Sequence, residues 1–337
     1  MKTNKSSLSN YSKPILGLTM GDAGGIGPEI IVKKLHSINL NQDFIPIVIG
    51  NTSVLSKTAK QLGLEILLQP ITADQFSTDN EAIQVININV PELDNVGMGY
   101  AAPPTGELAY QSIKTAVELA QNKTIDAIVT APICKDSLHM AGHKFDGHTG
   151  LIAYLTNTSN YRMLFAAESL KIIHTTAHIA LSDVPQNLTI NSVYQTISLG
   201  DEHMKALGYK NPKIAVCGLN PHASENGIFG TEDLDVIKPA IKKAKNNKIN
   251  VSGPHPADAL FRKAFNGEYD MVVAQYHDQG HIPGKLMAFD TAVNVTVGLP
   301  IIRTSVDHGT AFDIAGKGVA DYENLSCAIK YAMNLIG

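Results

Sequence analysis

Short apolar runs, too brief to be helices, recur along this chain and alternate with longer amphipathic stretches. They fall at Pro14 to Thr19, Ile45 to Ile49, Val85 to Ile88, Ala127 to Thr130, Lys171 to Thr176, Ile214 to Gly218, Met271 to Gln275 and Val293 to Val297. Runs of this length, rich in Ile and Val, read as buried strands. Between them Thr105 is placed to cap a helix through about Gln121, with Leu108, Ser112, Ile113, Ala116, Val117 and Ala120 on one face. Thr231 to Lys245, Ala257 to Phe265 and Asn324 to Leu335 read as further helices. The alternation predicts an α/β fold.

With 337 residues, 44% hydrophobic and 17% charged, the chain can bury a core large enough for two lobes. No repeat or low-complexity linker divides it, so the lobes are expected to be interwoven. A net charge of −4 without a Lys/Arg block argues against a nucleic-acid partner, and a phosphate-sized anion suits the chain better than a polymer. Cys134, Cys217 and Cys327 form no CxxC pair, which fits a reducing compartment. Cys134 sits among polar residues, but a lone thiol is usually inert. The opening MKTNKSSLSNYSK is polar and lacks an apolar core, so residues 1–13 read as a disordered tail on a cytoplasmic protein with no membrane partner.

Chemistry-bearing residues concentrate between Gln275 and Gly318. His277, Asp278 and His281 follow one strand; Arg303, Asp307 and His308 follow another, at positions that read as loop. Ligands of open α/β sheets bind at the carboxyl ends of strands, so this pattern points to a charged small molecule, with or without a metal. Four apolar runs end near a histidine: His148 with Thr149, His178, His222 and His277. Neutral imidazoles can ligate a divalent ion, and the same residues can equally be ordinary hydrogen-bonded histidines. Near the start, MGDAGGIGPEI reads as a turn entering a helix, with Pro28 and Glu29 suited to its first turn. Its glycines at 21, 24, 25 and 27 either admit a ligand or form a tight structural turn; they are not a GxGxxG.

From Leu16 to about Ala332, the segments TMGDAGGIGPEI, TAPICKDSLHMAGHKFDGHT, GLNPHASENGIFG, YHDQGHIPGK and GLPIIRTSVDHGTAFDIAGKG, in this order, resemble the 4-hydroxythreonine-4-phosphate dehydrogenase family of vitamin B6 biosynthesis. The ends are also similar to the isocitrate and isopropylmalate dehydrogenase superfold. The resemblance implies two α/β lobes with a cleft between them. Lobe one, on the nucleotide side, would be 14–131 plus 299–337; lobe two, with metal, substrate and dimer contacts, would be 132–298.

Carried onto matching positions, the resemblance implies His178, His222 and His277 as ligands of one divalent metal, zinc, magnesium, cobalt or manganese. The third histidine would come from the partner subunit, so a homodimer would share its active sites. His148, Thr149, Lys285, Asn294 and Arg303 would bind substrate, and Lys or Arg suits a phosphate or carboxylate. Asp258 and Asp278 match acids near the metal, as a ligand, an orienting partner or the catalytic proton acceptor. Asp258 reads equally as a helix cap. His308, Gly309, Thr310, Ala311, Asp313 and Gly316 would surround NAD or NADP; without the resemblance, this stretch is only a helix entry.

The implied reaction oxidises a secondary alcohol beside a carbon bearing a carboxylate, and the β-keto acid then loses carbon dioxide. The first substrate the resemblance implies is 4-phosphooxy-L-threonine, which this converts to 3-amino-2-oxopropyl phosphate. ELAYQSIKTAVELA, LHMAGHKFDGHT, TAHIALSDV and YHDQGHIPGK are closer to a second branch, which oxidises D-threonate or D-erythronate 4-phosphate to dihydroxyacetone phosphate. Another branch acts on aromatic cis-dihydrodiol dicarboxylates. Gly150 stands where the family commonly has Glu, and Ala23-Gly24 where Pro-Ala is usual. The reading from a different class is a non-catalytic, metal-dependent binding protein.

Overall fold

A computed structural model describes residues 13–38, 43–77, 82–288 and 291–337. The expected tail lies outside these residues except for Lys13. The described residues divide into two compact units, the first drawn from 13–159 and 299–337 and the second from 160–298.

The first unit contains, in chain order, β1 (Ile15–Thr19), α1 (Gly27–Ser37), β2 (Ile45–Gly50), α2 (Thr52–Gln61), β3 (Leu68–Ile71), β4 (Ile83–Asn87), α3 (Pro103–Gln121), β5 (Ala127–Thr130), α4 (Lys135–Met140) and α5 (His148–Leu155). The second contains β6 (Arg162–Ala166), β7 (Lys171–His174), α6 (Val184–Asn187), α7 (Ile190–Ala206), β8 (Ile214–Cys217), α8 (Lys238–Asn246), β9 (Val251–His255), α9 (Ala257–Phe265), β10 (Met271–Ala274), α10 (His277–Ala288) and β11 (Val293–Val297). β12 (Ile302–Val306) and α11 (Glu323–Ile336) return to the first unit. The fold is α/β.

Strands of the first unit are parallel throughout, in the order β3-β4-β2-β1-β5-β12. β1 and β5 are buried at every residue, which explains why they carry no polar alternation. Ile15, Ile47, Ile49 and Ile128 pack with Ile113 and Val117 of α3 and with Leu151 and Ile152 of α5. Residues 132–159, assigned to the other lobe by the sequence division, cluster here because α4 and α5 pack on α3. Thr105 does not cap α3: Ala102 holds that position, two prolines begin the helix, and the Thr105 hydroxyl is buried, donating to the Ala102 carbonyl at 3.0 Å.

In the second unit the order is β11-β6-β7-β10-β8-β9, antiparallel across β11, β6 and β7 and parallel beyond. Phe165, Ile172, Val272 and Ala274 form its core with Leu260, Phe261 and Ala264 of α9. Thr231 to Lys245 begins with a wide turn at Asp233–Ile237 before α8.

Two corrections bear on function. His277 to Ala288 is a helix and not a loop, although it holds Pro283 and two glycines. Those glycines are where the backbone approaches the sheet. A Cβ on Gly280 would overlap Nε2 of His174, and one on Gly284 would lie 2.9 Å from Phe165 Cε1. Tertiary packing overrides weak helix propensity here. Arg303, likewise read as loop, lies within β12 opposite Ile128 of β5.

Candidate functional site

The second unit collects imidazoles at the carboxyl ends of β7 and β10. His277, His281 and Lys285 are spaced by four along α10 and therefore share a face of it. His281 stacks on His277 with ring centroids 4.0 Å apart and planes 5° from parallel, and His178 lies 5.6 Å from His277. His174, the last residue of β7, sits beneath, 4.7 Å from His281. His174 Nδ1 lies 3.3 Å from the Met163 carbonyl, so a neutral His174 donates there and accepts from His281 Nδ1–H at 3.1 Å through Nε2. Burial, then the nearby His281, pushes His174 down to about 3; burial, then His277, pushes His281 down to about 4. Both rings are neutral at pH 7.

Asp278 is exposed, and its carboxylate accepts from His277 Nδ1 at 2.7 Å. In a neutral His277 this leaves Nε2 as the lone-pair nitrogen, the arrangement in which a carboxylate orients a ligating imidazole. Asp258 is exposed in the first turn of α9, where its charge favours the helix N-terminus; the cap position belongs to Pro256. Lys285 is half-buried, and Asn294 lies in β11 opposite Phe165.

His222 is held differently. Residues His222, Ala223, Ser224, Glu225 and Asn226 have φ of 54°, 52°, 68°, 39° and 56°, a left-handed turn without glycine. Each such residue costs about 1–2 kcal/mol, so the surroundings must impose the turn. Buried Asp233 accepts from the backbone of Leu219 (2.8 Å) and Asn220 (3.1 Å) and from the Ser224 hydroxyl (2.6 Å). His222 is exposed beside Phe229. Among the described residues no three His, Cys, Asp or Glu side chains group to hold a metal within one chain. The structure therefore pairs His178 with His277 and does not group His222 with them. The donor chemistry, neutral imidazole with a carboxylate behind it, fits a divalent ion.

In the first unit the glycine turn serves the protein's own packing. A Cβ on Gly25 would lie 2.8 Å from the Thr310 carbonyl, and one on Gly24 2.7 Å from the Tyr100 carbonyl. Ile26 N–H donates to the Thr310 carbonyl at 3.0 Å, so the turn clasps the 308–318 stretch. Asp22 is buried, caps Gly24 N–H at 2.8 Å, and is raised above the usual carboxylate range by burial.

Lys33 donates to Glu29 (2.8 Å) and to the carbonyls of Gly318 (2.9 Å) and Ala320 (2.7 Å), while Ala320 N–H donates to Glu29 at 2.8 Å. A small cleft is lined by Gly25, Pro28, Met98, Gly316, Lys317 and Gly318. Ala311 has a left-handed φ of 43°, and Asp313 is exposed. His308 Nδ1 lies 3.0 Å from the Gly309 carbonyl, leaving Nε2 out of solvent with no hydrogen-bond partner. That orphaned acceptor, with exposed glycine backbone and Lys317 nearby in sequence, fits a polar ligand such as a nucleotide.

Arg303 is 2% exposed and donates to the Thr130 hydroxyl at 2.9 Å. Burial lowers it to about 9. His148 begins α5 with its Nε2 buried and without a partner; burial, then the Arg303 charge, holds it well below the usual histidine range. A buried guanidinium beside an imidazole kept neutral is suited to an anionic group. Thr149 follows in the first turn of α5.

Sequence reasoning passed over His174, Asp233 and Lys33. The first was detectable as the final residue of an apolar run; nothing local marks the other two.

A family model described as pyridoxal phosphate biosynthetic protein PdxA matches residues 42–332. A D-threonate 4-phosphate dehydrogenase of Cupriavidus necator is 44% identical over 97% of this chain and 98% of its own length. A protein of that name from Salmonella typhimurium is 44% identical, over 95% and 98%. The crystal structure of a Klebsiella pneumoniae 4-hydroxythreonine-4-phosphate dehydrogenase aligns with a TM-score of 0.87 and 40% identity, over 96% of this chain and 100% of that one.

Proposed function

The chain belongs to the pyridoxal phosphate biosynthetic protein PdxA family, and from that premise we propose an NAD(P)- and divalent-metal-dependent dehydrogenase of a 4-phosphorylated hydroxy acid, with D-threonate 4-phosphate as its first substrate. Near-full-length likeness to relatives named for that substrate carries the reading. This reverses the order expected from sequence, which placed 4-phosphooxy-L-threonine first; the Klebsiella structure keeps that substrate as the second reading.

His178, His222 and His277 would hold the metal, which when bound supplies Lewis acidity at the alcohol being oxidised. NAD(P) would accept the hydride, and the segment His308 to Gly316 would bind it. The protein's own groups set the conditions. Asp278 fixes the tautomer of His277. Arg303 and His148, with Thr149, would bind an anionic substrate group, and Lys285 and Asn294 are carried over from the resemblance as further substrate contacts. The β-keto acid produced would lose carbon dioxide.

A homodimer sharing ligands is supported by exposed apolar side chains on the segments that carry His222 and His277. Ile228 (73%) follows His222, and Leu286 (82%) lies on α10 after His277, both exposed. Exposed apolar surface of this kind is suited to a second subunit.

The test is steady-state production of NADH or NADPH with Mg²⁺, Mn²⁺, Co²⁺ or Zn²⁺ on both phosphorylated substrates, with sedimentation at assay concentration. Turnover of D-threonate 4-phosphate by a dimer is expected. Metal binding without turnover of either substrate would sustain the non-catalytic reading instead.

A further inference from the structure

We infer that Asp233 is the positioning residue for His222, holding the left-handed turn from which that histidine reaches a metal ion. The inference rests on His222 being a ligand, as proposed above. Three observations carry it. The turn is sterically disfavoured at five successive residues, none of them glycine, so it persists only if something outside it fixes it. Asp233 is fully buried and spans the turn: one oxygen accepts from Leu219 N–H, the other from Asn220 N–H ahead of it and from the Ser224 hydroxyl within it. The neighbourhood is shaped to this geometry, since a Cβ on Gly218 would lie 2.8 Å from both Ala223 Cα and the Asp233 carboxylate.

A second acid completes the frame. Asn220 Nδ2 donates to Glu232 at 2.7 Å and lies 3.3 Å from the Ser224 hydroxyl, so both acids that open the next helical segment tie down the loop bearing His222. Asp233 reaches two backbone donors and a hydroxyl at once, which only a carboxylate acceptor of that length does. Replacing it with an amide puts an N–H₂ donor against one of these donors, and the turn relaxes toward ordinary right-handed backbone.

The test measures Co²⁺ affinity and the visible Co²⁺ spectrum of the full-length protein after chelator treatment, together with thermal unfolding of each variant. Asp233→Asn is expected to weaken Co²⁺ binding by about 10- to 100-fold and to alter the spectrum. Ser224→Ala, which removes one hydrogen bond of the network, is expected to do the same more weakly and covers the case in which Asp233→Asn does not fold. In a His222→Ala background, Asp233→Asn should weaken Co²⁺ binding no further. If His222→Ala itself leaves affinity and spectrum unchanged, the ligand reading fails. If His222→Ala weakens binding while Asp233→Asn and Ser224→Ala only lower the unfolding temperature, Asp233 is merely structural and the inference is overturned.

Discussion

Nε2 of His174 occupies the space that a Cβ on Gly280 would need, so α10 lies against β7 as closely as a residue without a side chain permits. Alanine at position 280 would raise helix propensity by about 1 kcal/mol. Against that, the added methyl must displace a buried ring hydrogen-bonded to Met163 and His281, and such overpacking costs about 1–3 kcal/mol. The overpacking wins, so Gly280→Ala should lower the urea midpoint. A variant at least as stable as the parent would show that His174 is not held there.

Glu29 and Lys33, paired with each other on α1, join it to the stretch at Gly318 and Ala320 through three hydrogen bonds. Lys33→Met leaves the buried Glu29 carboxylate without its cation and frees two carbonyls, a loss of about 1–3 kcal/mol. The stretch released directly follows His308 to Gly316, the segment proposed to bind the nicotinamide cofactor. The variant should therefore raise KM for NAD(P) several-fold while changing KM for the phosphorylated substrate little. Equal increases in both would separate this brace from cofactor binding.

His203 on α7 is buried, and burial, then the nearby Lys171, lowers it to about 4 from an ordinary 6.5. Between those values the unfolded chain binds a proton that the folded chain does not, so stability must fall as pH falls through that window. The term is fully present above pH 6.5, and its loss by pH 4 is on the order of 3 kcal/mol. His203→Gln should flatten the decline in unfolding free energy between pH 6.5 and 4. An unchanged slope would mean that His203 titrates in the fold as it does in water.

Strands were legible where burial on both faces left an unbroken apolar run, as at Ala127 to Thr130 and Met271 to Ala274. β6 and β12 were not: β6 opens on Arg162, and Arg303 interrupts β12 as a buried cation inside a strand, the kind of exception a functional site produces. α10 was hidden for a related reason. Gly280, Gly284 and Pro283 spell a loop by local propensity, yet the two glycines are packing positions against His174 and Phe165. Once the helix is granted, the four-residue spacing of His277, His281 and Lys285 becomes visible. His174 acts across the fold, on Gly280, and no sequence window contains both partners; Asp233 lies close in sequence to the His222 turn, but nothing in local propensity announces a left-handed turn without glycine.

Gly150 is the departure from the family resemblance whose consequence can be tested most directly. It is the third residue of α5, its φ is not left-handed, and a Cβ built on it meets nothing within 4 Å. The backbone therefore does not require glycine there. Glutamate would gain about 0.5–1 kcal/mol from helix propensity, with a further small gain from an acid in the first turn. Gly150→Glu should unfold at an equal or higher temperature. Its carboxylate would follow His148 and Thr149, where it could pair with the ammonium of 4-phosphohydroxythreonine but not with the hydroxyl of D-threonate 4-phosphate. The ratio of kcat/KM values should move toward the amino substrate by about tenfold, equivalent to roughly 1.4 kcal/mol of discrimination. A stable variant in which both substrates change equally would place the choice between amino and hydroxyl groups elsewhere in the chain.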